Sequence, residues 1–319
     1  MLNVVVCGAT GFIGRNIAER LAQRTDVCVR GIWHSRPPFN HPRIEWHRAD
    51  LCKADDVDRV VSGADVVIQA AATTSGAKDI VSRPYIHVAD NAVMNSLLLR
   101  AAFEHHVGHF VFFSCTVMYP SSNVPLAEED FDAAAGIHPR YFGVGWTKVY
   151  VEKMCEFYAG LGRTRHAVIR HSNIYGPHDK YDPDRSHVFG ATVRKVMTAK
   201  DKVVVWGSGE EARDLLHVDD LVRFVELAVD RQREPFLLLN CGAGKAVAVK
   251  DLVAAMVRIS GRSLEVDHDL SQPTIKTSLC LNCDKAGRTL GWAPVVALDD
   301  GIRRTLAWYA ENVAQGGGA

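Results

Sequence analysis

An apolar run, LNVVVCG, passes without a break through GATGFIG (residues 8–14) into a helix-patterned segment, and this junction restricts the fold more than any other stretch of the chain. A buried strand, a glycine turn and a helix in immediate succession open a βαβ unit whose helix N-terminus is suited to a phosphate. Gly8 permits the tight turn, Gly11 lets backbone approach a pyrophosphate, and Gly14 lets the helix lie close to the strand. Thr10, Phe12 and Ile13 complete the loop and are expected beside the same dinucleotide.

Strand-length apolar runs then alternate with helix-patterned segments: VCVRGIW, a helix near 54–62, DVVIQAAA, a helix over 91–105, HFVFFS, a helix after Gly145, and HAVIRHSNIYG. Such alternation predicts an α/β chain with a Rossmann-type doubly wound parallel sheet. After Tyr175 the texture changes to GPHDKYDPDRSHVF, too polar for core and too long for a turn, which reads as a substrate-facing loop. A helix at 189–199, a strand at VVVWG, a helix expected to be capped by Asp219 and Asp220, and helices at 249–260 and 297–312 follow. The expected division is a dinucleotide-binding domain, residues 1–175 with 214–240 returning to it, and a smaller α/β substrate-binding domain, 176–213 with 241–315.

Of the 319 residues, 47% are hydrophobic, enough for a sizeable core. Lys and Arg number 37 and Asp and Glu 37, so the formal net charge of +0 argues against nucleic acid or an anionic membrane as partner. No apolar run approaches the roughly 18–20 residues that span a bilayer. The eight cysteines are scattered through strands and helices, the pattern of free thiols in a cytoplasmic protein. A lone C-x-x-C, Cys280 to Cys283, is poor ground for a closed zinc site, and no metal is expected. The glycine tail at 316–319 is expected to fray.

The second strand ends in Ile32-Trp33-His34-Ser35-Arg36, without the acidic residue that holds a ribose 2′-hydroxyl. Ser35 and Arg36 suit a 2′-phosphate, so NADP is expected, with NAD the second choice. Asp50 and Leu51 follow the third strand where adenine would lie. Ala70, Ala71 and Ala72 end the fourth with small side chains beside the cofactor.

Taken together, G-x-x-G-x-x-G, Asp50-Leu51, Ala70-Ala71-Ala72, the element from Ser114 to Tyr119, Lys148, and R-x-S-N-I-Y-G-P at 170–177 resemble the extended short-chain dehydrogenase/reductase (NAD-dependent epimerase/dehydratase) family over nearly the whole chain. Residues 175–195 and 203–221 narrow the likeness to nucleotide-sugar reductases and epimerases of the GDP-fucose synthase type. The resemblance implies that Lys148, His171, Asn173 and Ile174 lie at the nicotinamide end, with Asn173 also reaching the substrate. It sets His187 and Val188 beside the sugar, and Arg194, Trp206 and Arg213 around the nucleotide and its diphosphate. Guanidinium groups bind phosphate bidentately and an indole offers a flat apolar face, so the residue types agree. His217, just before a helix, is read as structural. A homodimer through the helices at 91–105 and 145–158 is also implied.

Three positions depart from the family pattern. Its catalytic tyrosine stands four residues before the lysine, on the same helix face. Here that position is Val144. The Ser/Thr that shares the sugar oxygen is Cys115, and the cysteine used for epimerisation, which the pattern pairs across the ring with the histidine at 187, is Val117. A thiol donates weakly, though its ordinary pKa of about 8.5 lets it serve acid/base chemistry. Thr116, Tyr141 from the loop before the helix, and His171, in place of the pattern's proline, are the other candidates. Tyr150 lies about 200° around the helix from Lys148 and points away. The expected activity is reduction, oxidation or epimerisation of a GDP-linked or similar hexose. A dehydratase, or a catalytically silent nucleotide-sugar sensor, stands as the alternative.

Overall fold

The computed structural model describes residues 1–73, 83–182, 186–272 and 277–314. The expected frayed tail lies outside them. Along the chain come β1 (Leu2–Cys7), β2 (Val27–Trp33), β3 (Ile44–Arg48), β4 (Val66–Gln69), β5 (His109–Ser114), β6 (Arg165–His171), β7 (Asn173–Tyr175), β8 (Lys202–Trp206), β9 (Ala212–His217), β10 (Phe236–Cys241), β11 (Ala246–Ala248) and β12 (Glu265–Asp269). Seven form one parallel sheet in the order β10-β6-β5-β4-β1-β2-β3. Strand order reverses at β1, flanked by β2 and β4, and a doubly wound sheet opens its ligand crevice at such a reversal.

Every residue of β5, HFVFFS, is buried, as expected of a strand covered on both faces. One face packs against helix α1 (Phe12–Leu21) and the helix Val218–Arg231, through Ile17, Leu21, Leu221 and Phe224. The other packs against α2 (Ala54–Val61) and the helices Ala89–Glu104 and Phe142–Gly160, through Val57, Leu98, Leu99 and Val151. A separate core joins Tyr175, Phe189, Val193, Val203, Leu252, Met256 and Ile302, beneath the small sheets β11-β9-β7 and β12-β8. No helix among the described residues is long and apolar enough to cross a membrane. All eight cysteines are free.

Two local expectations are corrected. The helix bearing Lys148 begins at Phe142, ahead of both glycines, and continues a 3-10 turn at Pro139–Tyr141. Gly143 and Gly145 serve close packing within the helix: an added Cβ would stand 2.9 Å from Val88 Cγ2 at the first and 2.9 Å from Ile137 Cδ1 at the second. Asp219 and Asp220 are not caps. His217 is, its Nδ1 accepting the Asp219 N–H at 3.2 Å, as its structural reading implied. Asp220 instead anchors a distant loop by accepting the N–H groups of Val295 and Val296 at 3.0 and 2.9 Å.

His109 on β5 and His166 on β6 are buried at the edge opposite the crevice, and only His109 Nε2 has a partner, Gln232 Oε1 at 2.9 Å. Burial depresses their pKa values to about 4 and about 3. The unfolded chain, with imidazoles near 6.5, therefore binds more protons below that pH. Stability is expected to fall as pH drops from about 6.5 towards 4, by on the order of 1.4 kcal/mol per pH unit for each imidazole. Urea midpoints measured across that range check this, and His166→Leu is expected to flatten the slope. An unchanged slope in the variant would refute the assignment.

Candidate active site

Gly8 leaves β1 with φ 70°, and a Cβ there would stand 2.7 Å from Ala71 Cα. Gly14, in the first turn of α1, lies so close that a Cβ would overlap the Gly8 carbonyl oxygen. The N-cap, Gly11, has no side chain to occupy the free N–H groups that follow, so they face the crevice available to a phosphate. Asn16 Nδ2 donates to Phe12 O at 2.9 Å and to Pro177 O at 3.0 Å, tying the loop after β7 to this turn. These contacts make a tight glycine-lined cradle at the helix start, with room for a phosphate.

Around it, Ala70 N donates to Cys7 O at 3.2 Å, and Ala71 and Ala72 continue along the crevice wall. Leu51 is buried, while Asp50 Oδ1 accepts the Cys52 N–H at 3.1 Å. Ser35 and Arg36 are exposed at the end of β2, and Arg36 Nη1 donates to Thr10 O at 3.1 Å. Thr10, Arg15, Arg36, Phe39, His178 and Trp308 line a cavity of 260 Å³.

At the other end of the crevice, Lys148 Nζ donates to Phe113 O at 2.7 Å, the carbonyl next before the end of β5. Burial lowers its pKa, while the Cys115 thiol and the Glu152 carboxylate push it back up. Burial raises the Cys115 thiol above its usual value; Lys148 and the Val117 N–H act in the opposite sense. Tyr141 packs in one cluster with Cys115, Trp146 and Met118. Burial raises its phenol pKa, Arg213 pulling it down and Cys115 pushing it up. Arg213 Nη1 donates to Ala212 O at 2.8 Å and Thr277 O at 2.6 Å. Burial holds His171 at about 4, with Lys148 and His187 adding to the depression. His187 stands at the N-cap of the helix Val188–Thr198 without a side-chain capping bond; its imidazole is exposed, and neighbouring atoms and Lys180 lower its pKa.

Five sequence candidates, Cys115, Tyr141, Lys148, His171 and Arg213, thus lie within electrostatic reach of another of the set, and His187 lies within reach of His171. Thr116 is buried after β5; Asn173 and Ile174 open β7. Val144 is half-buried one turn before Lys148. Val117 lies beneath the helix, its Cγ2 3.6 Å from where a Gly145 Cβ would stand. Farther out, Trp206 is 53% exposed with Lys195 Nζ 5.1 Å above its ring, and Arg194 reaches Tyr181 O at 3.3 Å.

Residues 4–242 match the model of the NAD dependent epimerase/dehydratase family. The chain belongs to this family. It is 28% identical over 322 residues to GDP-mannose 3,5-epimerase 1 of Oryza sativa subsp. japonica, covering 98% of this chain and 82% of that one. It is also 28% identical over 325 residues to GDP-L-fucose synthase of Escherichia coli (strain K12), covering 97% of each. UDP-glucose 4-epimerase of Thermotoga maritima, solved with UDP-glucose, superposes with a TM-score of 0.87 at 23% identity, over 98% of this chain and 100% of that one, which shows the fold.

In this family member, sequence reasoning missed the polar frame beneath the site. Arg170 Nε and Nη2 donate to Glu152 Oε1 and Oε2 at 3.0 and 2.7 Å, and its Nη1 donates to Tyr119 OH and Glu128 O, both at 3.0 Å. Ser114 Oγ also donates to Glu152. The available signal was Glu152 itself, an acid one turn beyond Lys148 on an otherwise apolar helix face.

Proposed function

We propose that the protein binds NADP(H) and a nucleotide-linked hexose, GDP-hexose first, in the cytoplasm, and reduces or epimerises the sugar using a proton donor other than a residue at 144. The observation that carries this reading is the connected set at the crevice end, where Lys148, His187 and Arg213 keep the family's binding positions while 144, 115 and 117 differ. The glycine turn and Lys148 would hold the cofactor, which when bound exchanges hydride with a sugar carbon. Lys148 would orient the ribose, Arg213 the diphosphate, and Trp206 with Arg194 the base; His187 and Val188 would border the sugar. The division into a cofactor domain (1–175, 214–240) and a sugar-nucleotide domain (176–213, 241–315) belongs to this reading.

The test is turnover of GDP- and UDP-hexoses and their 4-keto derivatives, followed by cofactor absorbance and product mass. Water loss without net cofactor consumption would mark a dehydratase. Binding without turnover would mark a silent sensor, a reading favoured by the loss of three chemical positions together. Because Arg36 stands exposed at the end of β2 beside the Thr10 carbonyl, Arg36→Ala is expected to weaken NADPH binding about tenfold or more and leave NADH nearly unchanged. Equal effects on the two cofactors would count against NADP.

A homodimer fits the exposed apolar side chains Val93, Tyr150, Phe157 and Leu161, on and beside the helices Ala89–Glu104 and Phe142–Gly160. The molar mass in solution, with Phe157→Glu as comparison, decides it.

A further inference from the structure

We propose that Arg15 is a specificity-determining residue of the cofactor site: with Arg36 it grips a phosphate on the 2′-oxygen of the adenosine ribose, in the cavity beside the glycine turn. The proposal rests on the dinucleotide reading above and gives the 2′-phosphate a second cation.

The sequence singles out Arg36 alone, because it follows the second strand where the ribose is expected. Arg15 reads there as an ordinary helix charge, placed to pair with Glu19 one turn on. The fold gives it another setting. Arg15 follows Gly14 in the first turn of α1, and its guanidinium carbon lies 4.0 Å from the centroid of the Phe39 ring. Phe39 belongs to the loop that Arg36 opens, which Pro37 and Pro38 stiffen, and its ring packs edge-on against Trp46 at 4.9 Å. The two arginines therefore line one cavity of 260 Å³, together with Thr10 from the glycine turn itself. Arg36 Nη1 donates to Thr10 O at 3.1 Å, so cradle and cavity share a wall.

The grip is built before a ligand arrives. Arg15 Nε donates to Glu19 Oε1 at 2.8 Å, and Glu19 Oε2 lies 3.5 Å from His178 Nε2. The His178 ring stands edge-on to Trp308, 4.8 Å away on the helix Leu298–Asn312. Stacked on Phe39 and tied to Glu19, the guanidinium has little rotamer freedom left to lose, and a planar fork held still suits a phosphate. Tyr181, Trp308 and Val313 add apolar surface to the lining, beside which an ionic hydrogen bond is stronger than in open water. Asp179 also lines the cavity. Its Oδ1 accepts the Lys180 N–H at 2.6 Å and its Oδ2 lies 3.5 Å from where a Gly190 Cβ would stand, so the carboxylate is directed to the helix Val188–Thr198. A bare 2′-hydroxyl is ordinarily met by a carboxylate at the end of the second strand, where this chain carries Ser35 and Arg36.

The experiment titrates the unaltered protein and its variants calorimetrically with adenosine 2′,5′-bisphosphate and adenosine 5′-monophosphate, which differ only in the 2′-phosphate, and repeats the comparison with NADPH and NADH. The readout is the affinity ratio within each pair. Arg15→Ala is expected to lower that ratio on the order of ten- to a hundredfold, by weakening the 2′-phosphorylated member and leaving the other within about threefold. Arg20→Ala removes a charge from the same helix, paired with Glu226 at 3.1 Å and outside the cavity, and should leave the ratio unchanged. An Arg15 that only supports the helix would weaken both members together or neither, and either result overturns the proposal while the NADP reading stands on Arg36. An Arg20→Ala loss as large as that of Arg15→Ala would reduce the effect to general helix charge and overturn it in the same way. An unaltered protein that shows no preference for the 2′-phosphate, or binds none of these ligands, overturns both.

Discussion

Gly14→Val is expected to lower dinucleotide affinity at least 100-fold and to cost the fold about 1–3 kcal/mol. The cause is backbone against backbone. A Cβ at 14 would overlap the Gly8 oxygen and stand 2.8 Å from the Gly8 carbon and 3.2 Å from Ala9 Cα. Gly8 cannot retreat, because its φ of 70° and the Ala71 backbone 2.7 Å from its own missing Cβ pin the turn from behind. Helix α1 must then move off, taking with it the first-turn N–H groups and the Asn16 bond to Pro177. Cofactor titration calorimetry and a urea midpoint read the two effects separately. Gly160→Ala is the control, since nothing lies within 4 Å of a Cβ there. A Gly14 variant that binds cofactor within tenfold of the unaltered protein would show that this loop is not the phosphate cradle.

Glu152→Ala is expected to cost about 3–5 kcal/mol, the range for breaking a buried ion pair from one side. The two side chains are 5% and 3% exposed, and Arg170 keeps its charge at any working pH. Without Glu152 that charge is left among Phe131, Tyr119 and the Glu128 carbonyl, stripped of its ion-pair partner. Lys148, one turn away, loses the carboxylate that raises its pKa, so activity should fall further than stability alone explains. Chemical denaturation of Glu152→Ala and of Glu152→Met with Arg170→Met checks the account. The double variant is expected to recover much of the loss, because an apolar pair of similar volume leaves no orphaned charge. A loss under about 1 kcal/mol for Glu152→Ala would show that the pair is not part of the frame.

The parallel sheet was legible because its strands are short apolar runs punctuated by glycine and separated by helix-period segments, a pattern that burial on two faces imposes directly. The same locality made Gly8, Gly11 and Gly14 readable. Tyr141 was harder: Gly143 and Gly145 look like helix breakers, and only the long-range contacts with Val88 and Ile137 show why the helix keeps them. Asp219 and Asp220 misled in a similar way. Their sequence position suits a cap, but Asp220 is committed to Val295 and Val296, 75 and 76 residues away. The Glu152–Arg170 frame joins residues 18 apart on different elements, and no local pattern announces such a pair.

The Val144 side chain has no hydrogen-bonding group, and the helix carrying it is held from other directions by Glu152 below and by the close approaches at Gly143 and Gly145. Scaffold and reagent are thus separable at this position. Tyrosine, histidine, glutamate or cysteine can be rotated through it on an unchanging frame, and the differences in product will report chemistry rather than folding. The site is a ready-made socket for comparing reactive groups one at a time.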